Sequence, residues 1–270
     1  MQFYHSEIRQ GLFRISSHDW DTKKSTNGCW MVVGTEKALL IDAGEASTGL
    51  KEYAKSVACG RPVQLALTHG HFDHTGALDE FDEFYMNPAD KYLLQGGAGL
   101  PGTVYHGELI SVRTGDVFEL GERCVKCFEA AGHTPGSICY LDTKTKTLIS
   151  GDSVARRGLF LERCSIADYF DVLLKLEALD YDSVASAHDG FLLPKSQTRH
   201  FITVMVNGIC NPDGGFRMPG GQWMSTIHYG TGVEDPEYVS ISFPKEDEDT
   251  IRAELEIWKK RNSDWNDEMS

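Results

Sequence analysis

Residues 68–76 read THGHFDHTG, and within six positions they carry His69, His71, Asp73 and His74. The residues just before them, VQLAL at 63–67, are apolar and short. Such a run reads as a buried strand, and its end delivers four metal-capable side chains onto a tight loop. On that loop His69 and His71 can face one centre while Asp73 and His74 face another. Neutral imidazole and carboxylate suit borderline divalent metals such as zinc. An ordinary surface loop rarely holds donors at this density.

Three more donors follow in the same setting. His133 lies in AAGHTPGS, Asp152 in LISGDS and His188 in VASAHDG, each at the end of a strand-like run. A lone strand-end histidine is more often a structural or surface group. Donors at four successive strand ends converge on one edge of a layered fold.

The chain around them alternates strands with helices. VVG-TEK-ALLID (32–42) reads as a hairpin. ASTGLKEYAKSVA (46–58) reads as a helix capped by Ser47 or Thr48, and GALDEFDEF (76–84) as the start of another. QGGAGLPG (95–102) lacks the Lys-Ser/Thr of a phosphate-binding loop and reads as a flexible loop near a site entrance. Helices are expected near FDVLLKLEAL (170–179) and SQTRHFITVMVNGI (196–209). Runs of strands alternating with helices predict two packed sheets covered outside by helices.

The chain has 270 residues, a formal charge of -14, and 41% hydrophobic residues, which suits one large globular domain or a domain with an appendage. An acidic surface repels phosphate backbones, so nucleic acid is not an expected partner. No apolar run is long enough to span a bilayer, and MQFYHSEIRQ does not read as a signal peptide. The expected location is the cytoplasm, with a small molecule as partner, no membrane association, and homo-oligomer formation left open. The seven scattered cysteines fit reduced thiols. Cys124 and Cys127 form a CxxC that reads as buried or edge thiols.

In order, THGHFDHTG, GHTPGS, LISGD and SAHDG resemble the motifs of the metallo-β-lactamase superfamily. The resemblance covers residues from about 10 to 210. It implies an α+β four-layer αββα sandwich with a dinuclear metal site at one edge. It further implies that His69, His71 and His133 hold one metal, that Asp73, His74 and His188 hold the other, and that Asp152 bridges them. Asp42, in LLIDAG, matches a position that supports the ligands from behind. The cofactors implied are two divalent metal ions, zinc before iron or manganese. The implied chemistry is hydrolysis by a metal-bridging hydroxide, with Asp73 and Asp152 as the catalytic carboxylates. Two divalent cations against two aspartates leave positive charge that favours a developing oxyanion.

A bridging aspartate sets the chain apart from the true β-lactamases of that superfamily. The pattern is more similar to glyoxalase II-like thioesterases, lactonases and small phosphodiesterases, so the expected substrate is a small ester, thioester or lactone. A phosphodiester, or a non-hydrolytic iron-dependent oxygenase or redox reaction on the same fold, is the alternative. Residues 1–210 are expected to form the superfamily domain and 211–270 a C-terminal extension serving as a substrate-pocket or dimer element. Within it NPDGGFRMPGG (211–221) reads as a loop, WMSTIHYG and EYVSISF as strands, and PKEDEDTIRAELEIWKKR as a helix with acids first and bases last. Arg156, with its neighbour Arg157, and His228 and Tyr229 are the expected substrate contacts.

Overall fold

The computed structural model describes residues 3–17, 27–45, 48–97, 100–160, 164–218 and 220–262. The strands are β1 (Tyr4–Arg9), β2 (Leu12–Ser16), β3 (Cys29–Val33), β4 (Ala38–Ile41), β5 (Val63–Ala66), β6 (Glu83–Met86), β7 (Glu108–Ser111), β8 (Val117–Glu119), β9 (Cys124–Glu129), β10 (Ile138–Asp142), β11 (Thr147–Gly151), β12 (Arg157–Leu159), β13 (Ser183–Ser186), β14 (Leu193–Pro194), β15 (Gly214–Arg217), β16 (Trp223–Tyr229) and β17 (Val239–Pro244). The helices are α1 (Leu50–Val57), α2 (Lys91–Leu94), α3 (Ile166–Glu177), α4 (Ser196–Gly208) and α5 (Glu248–Arg261).

Strands β1 to β7 form one sheet in chain order, and a second sheet runs β14-β13-β11-β10-β9-β8. Alternate residues of each strand explain the layering. From the first sheet Trp30, Val32, Leu39 and Ile41 point inward, against Val125, Cys127, Tyr140 and Ile149 of the second. Their neighbours Met31 and Leu40 point outward, onto Leu50, Ala54 and Val57 of α1. Leu141, Leu148 and Val184 cover the other outer face beneath α3, α4 and α5. A strand buried on both faces reads as an unbroken apolar run, as ALLI of β4 does.

Strands β4 and β5 run parallel, as do β11 and β13, and β9 has the direction of β11 because two antiparallel pairings separate them. Their carboxyl ends bring residue 42, residues 68–74 and positions 133, 152 and 188 to one edge. Open sheets of parallel strands bind ligands at that edge.

Three expectations change. GALDEFDEF supplies only a turn of 3-10 helix (Leu78–Glu80) before β6. The α1 cap is not a local hydroxyl: Thr48 makes no cap bond, and Ser47 lies outside the described residues. Instead the Glu80 carboxylate accepts from the N–H groups of Gly49 and Lys51, placing a negative charge at the helix start from a distant turn. The stretch expected as a loop at 211–221 contains β15, which pairs with β16 through Phe216↔Met224.

That last strand belongs to a third sheet, ordered β12-β17-β16-β15. The parallel pairing of β12 with β17 ties residues 157–159 to the C-terminal region. Ile227, Val239, Ile241 and Phe243 of this sheet, with Ile251, Leu255 and Trp258 of α5, join the same core as α3 and α4. Among the described residues no helix is long and apolar enough to cross a membrane.

Candidate metal centre

The loop after β5 brings His69 and His71 against His133. His69 Nε2 lies 3.0 Å from His71 Nδ1, and His133 Nε2 lies 3.2 and 3.1 Å from those two atoms. Burial together with the neighbouring imidazoles holds all three below the ordinary histidine range, His71 at about 2. They are neutral, so each ring has one lone pair. Three lone-pair nitrogens gain little from facing one another. Around a tetrahedral zinc with bonds near 2.05 Å, neighbouring nitrogens stand about 3.3 Å apart, close to the triangle seen here.

A second group sits beside the first. His74 Nε2 is 3.6 Å from both Asp73 Oδ2 and Asp152 Oδ1. His188 Nε2 is 3.0 Å from Asp152 Oδ2 and 3.6 Å from Asp73 Oδ2. Asp152 Oδ2 also lies 3.7 Å from His133 Nε2, so this carboxylate touches both groups. Burial alone would lower His74 and His188. Asp73 and Asp152 outweigh it and raise both, and Asp42 adds to the effect on His74. Burial disfavours the Asp152 anion, yet His188 and His74 hold its pKa well below the usual carboxylate range.

Buried atoms without hydrogen-bond partners provide the test of fit. His74 Nε2 and Asp152 Oδ1 are both buried and unpartnered, a costly state unless something binds there. The ligand atoms of His69, His71 and His133, of His69, His74 and Asp152, and of Asp73, His74 and His188 form three groups, each within 4.8 Å. A nitrogen- and oxygen-rich donor set of this kind fits a divalent transition metal.

The supporting residues fix the imidazole tautomers. Asp42 accepts from the Thr68 N–H at 2.7 Å and from His74 Nδ1 at 3.0 Å, which turns His74 Nε2 toward the centre. Thr68 Oγ1 donates to Asp42 and lies 3.0 Å from His69 Nδ1, which turns His69 Nε2 the same way. Asp42 occupies the left-handed region with φ 68°, where aspartate is among the better-tolerated side chains.

Asp90 went unnoticed in the sequence. Fully buried, it accepts from Gly70 N–H at 3.1 Å, Thr134 Oγ1 at 2.6 Å and Gly136 N–H at 2.6 Å. It therefore ties the His69–His71 loop to the His133 loop. A Cβ on Gly70 or Gly136 would come within 2.8 Å of Asp90 or closer, so the close approach accounts for both glycines. In NPADKYLL, an acid at a helix start reads as nothing more than a favourable charge. Arg14 and Trp30 hold the third loop: Arg14 donates to the carbonyls of Ser186 and Ala187 at 3.2 and 2.8 Å, and Trp30 Nε1 to Ser186 at 2.8 Å.

A cavity of about 970 Å³ opens over the donors. His71, Asp73, His133, Asp152 and His188 reach its floor, and Arg157, Leu159, Phe216 and Met218 stand in its wall. Three expected substrate contacts lie elsewhere. The Arg156 guanidinium is taken up by the carbonyls of Val233, Asp235 and Tyr238, while Arg157, expected beside it, does line the cavity. Tyr229 projects from the other face of β16 and packs on His200. His228 shares the cavity-facing side of that strand but lies beyond the lining residues, with Nδ1 2.8 Å from Asp213.

Residues 27–188 match the family model described as the metallo-β-lactamase superfamily. The chain belongs to this superfamily. As a member of it, the chain is 30% identical over 203 residues to the human acyl-coenzyme A thioesterase MBLAC2, a match covering 62% of this chain and 72% of that protein. It is 28% identical over 171 residues to the hydroxyacylglutathione hydrolase of Salmonella typhi, covering 60% and 62% of the two chains. The fold matches an archaeal metallo-β-lactamase superfamily protein from Sulfolobus tokodaii with a TM-score of 0.58 at 19% identity, over 73% of this chain and 87% of that one.

Proposed function

We propose that this metallo-hydrolase cleaves acyl thioesters, with two divalent metals, zinc foremost, held by His69, His71 and His133 and by Asp73, His74 and His188, and with Asp152 shared. One observation carries the reading: a carboxylate common to two donor groups forms the floor of a cavity whose wall is largely apolar. Two relatives support the bond type, since coenzyme A acyl esters and hydroxyacylglutathione are both thioesters. When bound, such metals make hydroxide available near neutral pH and stabilise negative charge on a carbonyl oxygen.

The protein's own residues do the rest. Neutral His69, His71 and His133 leave the carboxylates as the negative groups of the floor. Asp73 is partly exposed and lines the cavity, which places it to take a proton from water and return it to the departing sulfur. In the net reaction water oxygen bonds to the acyl carbon, the carbon–sulfur bond breaks, and the products are a carboxylic acid and a thiol. Asp42 and Asp90 hold the imidazoles in place without touching substrate.

The test is a metal analysis of protein purified without added metal, beside a panel of thioester, lactone, aryl ester and phosphodiester. Thiol release with about two zinc ions per chain, abolished by a chelator and restored by zinc, is expected. Turnover of the phosphodiester alone, or one iron with oxygen uptake, would overturn the thioesterase reading.

A further inference from the structure

We infer that the cavity-facing side of the third sheet is a channel for an aliphatic acyl chain, so that the substrates are thioesters of medium-chain and longer fatty acids. This rests on the thioesterase reading above and adds to it the identity of the acyl group.

The sheet register makes the case. Paired residues of neighbouring strands share a face. Leu159 pairs with Ser242, Arg157 with Ser240, and Phe216 with Met224. One face thus carries Arg157, Leu159, Ser240, Ser242 and Phe216, all of which line the cavity. The opposite face carries Ile227, Val239, Ile241 and Phe243, which are buried in the core with α3, α4 and α5. The core needs only that second face. Of the apolar side chains on the first face Met224 is buried, but Leu159 and Phe216 take no part in that core.

They are nevertheless there. Phe216 is 42% exposed on the edge strand β15, and Leu159 and Met218 stand beside it in the wall. Phe72, Leu100 and Pro101 face the same space. Between the large side chains, Ser240 and Ser242 are small, which leaves a trough along the sheet. The Ser242 hydroxyl is already engaged with Thr226 Oγ1 at 2.9 Å. A concave, apolar, solvent-facing surface next to a reactive floor is a ligand site. An alkyl chain fits it without requiring polar partners. A short hydroxylated acyl group would leave that apolar surface uncovered. Among the described lining residues Arg157 is the one Lys or Arg, and it suits an anionic thiol carrier.

The experiment measures kcat/KM of the zinc-loaded full-length protein on straight-chain acyl thioesters of N-acetylcysteamine, from acetyl to palmitoyl. Each methylene that enters the channel is expected to raise kcat/KM about three- to fourfold, as its burial implies, until a plateau is reached. Ser240→Phe fills the trough and is expected to move that plateau to shorter chains, while Phe216→Ala flattens the rise. Thermal melts verify that the variants are folded, and the wild-type profile stands without them. Hydrolysis with a flat or falling profile would overturn the channel and leave the thioesterase intact. No hydrolysis at any chain length, with the metals bound, would overturn the thioesterase reading and the channel with it.

Discussion

At the scale of single residues, the donors were legible because their chemistry dictates their identity. Only a few side chains bind borderline metals, and His69, His71, His133, Asp152 and His188 all follow apolar runs whose ends are easy to place. Asp90 was hidden for the opposite reason. Its partners are a hydroxyl and two backbone N–H groups from loops far apart in sequence, and backbone groups leave no trace in residue identities. Of Arg156 and Arg157, both expected at the cavity, Arg157 alone reaches it. A strand three residues long shows no alternation in its sequence, and a shift of one residue turns a side chain from the cavity to the other face. Two predictions belong here. Asp42→Asn keeps a residue type that tolerates the left-handed backbone but removes the charge behind His74. Zinc affinity should fall about 10–100-fold, as read by competition with a chelating dye; unchanged affinity would remove Asp42 from its supporting role. Asp90→Ala leaves the Gly70 and Gly136 N–H groups and the Thr134 hydroxyl without their acceptor. It should cost about 3 kcal/mol in urea unfolding of the metal-free protein.

At the scale of elements, strand alternation decides more than motif does. Cys124 and Cys127 form a CxxC that reads as buried or edge thiols, and the strand agrees: residues three apart on β9 point to opposite faces. Cys127 is buried between the sheets, and burial pushes its pKa up to about 12, as it does that of Cys139. Cys29 is raised by burial as well. A raised thiol pKa means that the unreactive protonated form persists well above neutral pH. Ellman's reagent at pH 8 should therefore reach Cys59, Cys124, Cys164 and Cys210 at most, with the remaining three reacting only in denaturant. Early reaction of a fifth thiol in native protein would contradict this packing. The loop expected at 211–221 became a strand because β15 is supported from outside itself: β16 supplies its hydrogen bonds. Gly214 and Gly215 carry no strand propensity of their own, so no local signal announced it.

At the scale of the whole molecule, the C-terminal region is structural. Ile227, Val239, Ile241, Phe243, Ile251, Leu255 and Trp258 are buried in one core with α3 and α4. At roughly 1.5–3 kcal/mol for each side chain, their loss matches or exceeds a typical domain's total stability of about 5–15 kcal/mol. Truncation after Cys210 should abolish the cooperative unfolding transition, seen by circular dichroism. A truncated chain that melts cooperatively would show that the first two sheets fold alone. Metal removal acts on the whole molecule too. A ligand at a thousand times its Kd stabilises the folded state by about 4 kcal/mol, so chelation should lower the melting temperature by several degrees. Since His74 and His188 bind protons more tightly beside the two aspartates, zinc must displace those protons. Its affinity should begin to fall above the ordinary histidine range and keep falling as pH drops through it, which titrations at several pH values would record.

The pairing of β12 with β17 also orders events during synthesis. Arg157 leaves the ribosome only five residues after Asp152, yet it waits for Ser240 before it has a strand partner. Every donor from His69 to His188 has been made by then. The metal-binding edge can assemble while the chain is still growing, but the wall above it closes last, through a contact of long sequence separation that is slow to form. A nascent chain at that stage leaves uncovered the apolar side of α3 and α4 that β16, β17 and α5 later join, a surface open to aggregation and to chaperones.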